Sequence, residues 1–220
     1  MIPKIRYKLI LAAIFLALAS LACTQLDSLL PKSRDTTAGS VRVSDDFSSE
    51  KSGWEIGSYD GGDVGYFEGK YRITSIGDSI TMWGAAGRSL EDMVIDVDTE
   101  QISAPENNNN DYGIICRLQN DGGGYYSLVS GDGFYSILRQ NGEEGFDILV
   151  DWTYSSIINQ GNSRNHLQLT CIGTKISLSV NGQLLAETSD TKFSSGDIGF
   201  TATSYEVEGT EVHFDNFAVK

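Results

Sequence analysis

The chain has 220 residues, with 16 basic against 30 acidic side chains, a formal net charge of −14, 40% hydrophobic residues and 10% aromatics. That is enough apolar material for one sizeable core, which excludes a disordered acidic tail and fits one domain better than two. The negative charge repels phosphate backbones and anionic headgroups, so nucleic acid is not an expected partner and membrane attachment needs something other than electrostatics.

In chain order, Lys4, Arg6 and Lys8 precede an unbroken apolar run from Leu9 to Leu18. About ten residues are too few to cross a bilayer core of roughly 30 Å, so residues 1–22 are expected to be a signal peptide. The next residues, Ala19-Ser20-Leu21-Ala22-Cys23, resemble the bacterial lipobox, with Ser20 where that motif usually has Leu. The resemblance implies that Cys23 is acylated through its sulfur and becomes the mature N-terminus, which predicts an exported, lipid-anchored protein with palmitate-type chains. The alternative is ordinary secretory cleavage near Ala22. Removing this segment leaves 13 basic against 30 acidic residues, a charge of −17. Cys23, Cys116 and Cys171 are the three cysteines, and lipidation of the first leaves one pair. Residues 23–42 are polar, carry Pro31 and Gly39, and read as a flexible tether.

From Val41 onward no dozen residues show a helical apolar period. Short alternating or β-branched runs recur instead: Tyr66–Thr74, Ser79–Trp83, Met93–Ile102, Tyr112–Gln119, Tyr125–Ser130, Phe134–Arg139, Phe146–Val150, His166–Cys171, Lys175–Val180, Leu184–Glu187, Asp197–Thr203 and Glu211–Val219. About a dozen strands predict an all-β sandwich or barrel over 43–220. Turn residues at Glu68-Gly69, Asp132-Gly133, Asn141-Gly142 and Asn181-Gly182 predict hairpins and sequential antiparallel pairing. Alternation places Met93, Ile95 and Val97 opposite Asp92, Asp96 and Asp98; Ile114 and Cys116 opposite Ile115 and Arg117; and Leu169 and Cys171 opposite Gln168 and Thr170. Both late cysteines then point into the core, which in an exported chain predicts a Cys116–Cys171 disulfide, the alternative being two separate buried thiols.

Asp45-Asp46-Phe47-Ser48-Ser49 with Gly53-Trp54, Asp111-Tyr112-Gly113-Ile114-Ile115-Cys116-Arg117, Val180-Asn181-Gly182-Gln183 and Phe214-Asp215-Asn216-Phe217-Ala218-Val219 together resemble concanavalin A-like lectin/glucanase jelly rolls, nearest to laminin-G-like and 3-keto-disaccharide-hydrolase-like domains of bacterial surface lipoproteins. The resemblance implies a two-sheet antiparallel jelly-roll sandwich with adjacent terminal strands and a concave face that often holds sugar. Sandwiches of this superfamily often bind a calcium ion where the terminal strands meet, which the resemblance extends to Asp45, Asp46 and Asp215 as oxygen ligands, the alternative being that these acids cap strand ends. The superfamily spans lectins, glycosidases and adhesion modules, so function has to come from the site.

Catalytic patterns are weak. Asp96-Val97-Asp98-Thr99-Glu100 puts three acids on one strand face but lacks the spacing of the family-16 glycosidase motif, Glu-x-Asp-x-x-Glu, and reads as a solvated face. There is no G-x-S-x-G, His166 and His213 lie in strand patterns, and Gly122-Gly123-Gly124 opens no helix. Aromatics are the better lead. Trp83, opposite Ile80 and Met82, is expected to share a non-core face with Asp96, Arg117 and Gln168, near Tyr125, Tyr126, Tyr135, Trp152 and Tyr154. A ring for the C–H face of a sugar, with amide, carboxylate and guanidinium groups for its hydroxyls, predicts a carbohydrate-binding or adhesion module rather than an enzyme. The competing expectations are a glycoside-cleaving activity of the 3-keto-disaccharide type and a structural or sensory domain with a protein partner.

Overall fold

The computed structural model describes residues 41–220; the signal-peptide, lipidation and tether expectations for residues 1–40, including Cys23, lie outside the described residues. The described chain forms fifteen strands: β1 (Val43–Asp45), β2 (Gly57–Tyr59), β3 (Gly62–Phe67), β4 (Lys70–Ser75), β5 (Ile80–Ala85), β6 (Met93–Ser103), β7 (Asn110–Leu118), β8 (Gly124–Ser130), β9 (Phe134–Gln140), β10 (Phe146–Tyr154), β11 (Arg164–Ile172), β12 (Lys175–Val180), β13 (Gln183–Ser189), β14 (Asp197–Ser204) and β15 (Thr210–Val219). One turn of 3-10 helix, Gly142–Glu144, separates β9 from β10.

The strands build two antiparallel sheets that make a jelly-roll sandwich, as expected. The first runs β13-β12-β11-β6-β15-β4-β3-β2, with β1 also paired to β15; the second runs β10-β9-β8-β7-β14-β5. The turns follow the residues predicted for them: at Glu68-Gly69 and Asn181-Gly182 both central residues have positive φ, the geometry that matches the twist of the flanking strands. The first of these turns divides the expected strand Tyr66–Thr74 into β3 and β4. β1 and β2 have three residues each and too little alternation to register as strands in the sequence.

The inner faces of both sheets close on one core that includes Ile73, Ile95, Val97, Ile114, Leu167, Leu169, Leu178, Phe200 and Val212. Phe200 stacks on Phe214 at 4.4 Å and on Trp54 at 4.5 Å, and Phe47 and Phe217 pack edge-on against the same rings. The opening and closing motifs of the sequence are therefore aromatic core. Cys116 of β7 and Cys171 of β11, both fully buried, form the expected disulfide and tie one sheet to the other across a separation of 55 residues.

Candidate functional site

Alternation identifies which side chains turn away from the core, but it does not identify the sheet that carries them. Trp83 is on the outer face of the six-stranded sheet, whereas Asp96 and Gln168 are neighbours on the outer face of the nine-stranded one. A sandwich about 10 Å thick lies between them, so the four residues expected to share a face do not. Arg117 departs further. It is the extra residue of a bulge in β7, where Asp197 pairs with Leu118 and Ile198 with Cys116, and its φ of 55° swings the side chain out of the alternating pattern. The guanidinium is 1% exposed and donates to the carbonyls of Glu91 (3.0 Å), Phe193 (2.9 Å) and Gly173 (2.8 Å). It is a pin between loops and presents nothing to a ligand.

On the nine-stranded sheet every member of the acidic row of β6 is engaged. Asp96 accepts from Gln168 (2.7 Å) and faces Lys220 (2.9 Å) and His166 (3.4 Å); burial alone would raise its carboxyl, but these partners hold it below the usual range. Asp98 faces His166 (2.7 Å) and accepts from Asn216 (2.9 Å), while Glu100 lies between Lys70 (2.7 Å) and Arg164 (3.1 Å). The sequence reads as a solvated face along this row; in the structure its acids are paired, Asp96 is largely buried, and a hollow of about 330 Å³ is lined by Asp98, Glu100, His166 and Asp215 among others. The three acids named as calcium ligands each accept a hydrogen bond from their own segment. Asp45 accepts from the Phe47 amide, Asp46 from the Ser48 amide and hydroxyl, and Asp215 from the Asn216 amide, although Asp45 Oδ2 is buried without a partner. Among the described residues no three His, Cys, Asp or Glu side chains stand together as a metal site.

The outer face of the six-stranded sheet is different, because it carries apolar side chains that the core does not need. Strand register sets these outward residues in rows: Thr81, Thr203, Asp111 and Ser130; then Trp83, Thr201, Gly113 and Leu128; then Ala85, Gly199, Ile115, Tyr126 and Leu138. Ile115, Leu118, Tyr126 and Leu128, joined by Leu138 and Trp152, form an apolar cluster separate from the main core. Over it runs a groove of about 480 Å³ whose lining includes Trp83, Tyr126, Phe146, Trp152, Thr201 and Gln140. A second hollow of about 510 Å³ continues it, sharing Asp111, Phe146, Trp152 and Tyr205. Both volumes lie in the range of small-molecule sites. Trp83 and Trp152 stand on the two edge strands, β5 and β10. Trp83 is 38% exposed and its ring lies over the backbone of Gly122, where a Cβ would sit 3.4 Å from it. Tyr126 anchors the same loop by donating its hydroxyl to the Gly122 carbonyl (2.9 Å).

At the other end lies Asp111, which the sequence offers only as part of a fold motif and which lines both hollows. It is 2% exposed, its carboxylate accepts from the Tyr205 hydroxyl, and its Oδ1 has no hydrogen-bond partner. Burial pushes its pKa up to about 6, with the Tyr205 and Thr203 hydroxyls opposing that rise. The fold thus holds this proton more tightly than the unfolded chain does. The stability contributed by Asp111 is complete below the unfolded value of 3.8 and is lost as pH rises through about 6. At about 1.4 kcal/mol per unit, the ionised carboxyl costs the fold up to about 3 kcal/mol at neutral pH. Urea unfolding of Asp111→Asn is expected to match the parent at pH 3.5 and to exceed its stability at pH 7.5 by up to about that amount. A difference that does not change with pH would refute the assignment.

No protein-family model matches the sequence, and no curated protein matches it. Solved structures match as a fold. Carbohydrate binding module CBM66 from Bacillus subtilis superposes with a TM-score of 0.62 at 16% identity, covering 77% of this chain and 96% of that one. A protein of unknown function with a galectin-like fold, also from Bacillus subtilis, gives 0.63 at 12% identity, over 82% and 96%. LamAcat from Zobellia galactanivorans gives 0.52 at 10%, over 82% and 97%. At such identities these likenesses establish the jelly-roll sandwich and no particular site.

Proposed function

We propose that the domain is a carbohydrate-binding module carried on an exported lipoprotein anchored through Cys23, and that sugar lies in the groove on the outer face of the six-stranded sheet. The observation that carries this reading is the aromatic lining of a polar-rimmed groove: Trp83 and Trp152 present rings suited to the C–H faces of sugars over a floor that includes Tyr126, and Thr81 and Gln140 supply hydroxyl and amide partners. The two tryptophans stand on the edge strands of the sheet, five strand spacings apart at about 4.8 Å each, and reach into one groove, which suits an oligosaccharide laid across the strands. The names of the structural neighbours, a carbohydrate binding module and a galectin-like protein among them, are in keeping with it.

Asp111 sits at the start of β7 and shares its hollow with Asp132, while Asp121 and Glu143 lie beyond the other end of the strand, past seven residues or roughly 23 Å, so carboxylates stand at both ends of the groove and the aromatic lining lies between them. A glycan array probed with the purified protein should give defined oligosaccharide hits that Trp83→Ala and Trp152→Ala each weaken at least tenfold, while Gln168→Ala, on the other sheet, leaves them unchanged. Hits that survive both tryptophan substitutions would remove the groove from the reading, and a well-folded protein that binds no glycan would return it to a protein-facing role.

A further inference from the structure

We propose that the Asp111 end of the groove is a subsite for a positively charged amino group, so that the preferred ligand is a glycan containing N-unsubstituted amino sugar. The inference rests on the carbohydrate reading above and names the class of sugar. Three observations support it. First, Asp111 lines both hollows although it is almost wholly buried; the Tyr205 hydroxyl donates to its Oδ2 and the Thr203 hydroxyl also favours the carboxylate, yet Oδ1 has no donor, and a buried acceptor left short is costly unless a ligand supplies one. Second, the rings of Phe134, Phe146, Trp152 and Tyr205 line the hollow that Asp111 shares with Asp132, and the negative faces of aromatic rings attract a desolvated cation.

The third observation is charge. The residues lining the groove and its continuation include four carboxylates, Asp111, Asp132, Asp121 and Glu143, and no Lys, Arg or His. The chain as a whole is also strongly acidic. Such a surface repels uronic, sialic and sulfated sugars and attracts an ammonium group. Hydroxyl donors alone would satisfy Oδ1 but would leave the ionised carboxyl without a counter-charge, whereas an ammonium provides both. N-acetylation removes the charge and keeps the sugar ring, so it isolates this one interaction.

The test is calorimetric titration of the full chain at pH 6.5 with fully deacetylated glucosamine tetramer and with its fully N-acetylated counterpart. The parent protein should bind the deacetylated tetramer at least tenfold more tightly, and Asp111→Asn, which keeps the side-chain shape, should lower that ratio at least threefold, the remaining carboxylates of the groove keeping the rest. Equal affinities, a preference for the acetylated tetramer, or an amine preference that is undiminished in Asp111→Asn would overturn the inference. If the acetylated tetramer or a neutral glucan tetramer binds as tightly and Trp152→Ala weakens it, the amine subsite fails while the sugar-binding groove stands. If no oligosaccharide binds, both fail together.

Discussion

Replacing Arg117 with Ala should lower the unfolding free energy by about 3 kcal/mol while leaving glycan binding by the folded protein unchanged. The guanidinium reaches out of the six-stranded sheet to three carbonyls on separate connections: Glu91 before β6, Gly173 between β11 and β12, and Phe193 between β13 and β14. Each is a charge-assisted bond worth about 1.5–3 kcal/mol when its loss leaves the acceptor short of a donor. Water reaching the loop carbonyls in the variant keeps the total below a simple sum. Asp92, half exposed and 3.6 Å away, adds little. Lysine should recover only part of the loss, because one ammonium cannot reproduce the spread of a planar fork. Urea unfolding of the parent, Arg117→Ala and Arg117→Lys, together with a glycan titration of each, checks both halves. A loss of binding without a loss of stability would put Arg117 back in the site.

The second large effect belongs to the bond between the sheets. Cys116→Ala with Cys171→Ala should cost about 4 kcal/mol, the chain-entropy value for a loop of 55 residues. Both positions are fully buried among aliphatic neighbours, so small apolar replacements leave no polar group stranded, and the loss falls mainly on the freedom regained by the unfolded chain. Guanidinium titration of the double variant is the measurement, and a loss below 1 kcal/mol would mean that residual structure in the unfolded chain already holds the two segments together.

Where alternation and turn chemistry agree, the fold was legible. Lys175–Val180 emerges with the bounds expected because a regular run ends on Asn181-Gly182, and the cysteines pair because two aliphatic faces point them inward. The site was legible only in part. Trp83 does face away from the core, and Tyr126 and Trp152 were named among its neighbours, but facing away is a property that two sheets share, and Asp96 and Gln168 proved to lie on the other one. Arg117 was misplaced because one bulged residue inverts the parity of everything read through it. Asp111 gave no local signal: the hydroxyl it accepts from belongs to Tyr205, 94 residues later in the chain.

The pairing of the first and last strands has a consequence for architecture. Val43 lies opposite Val219, so the chain enters and leaves the domain at neighbouring points. A module joined to its surroundings at what amounts to a single spot can be spliced into a longer polypeptide, or hung from a stalk of any length, without spreading its ends or distorting the sheet that carries the groove.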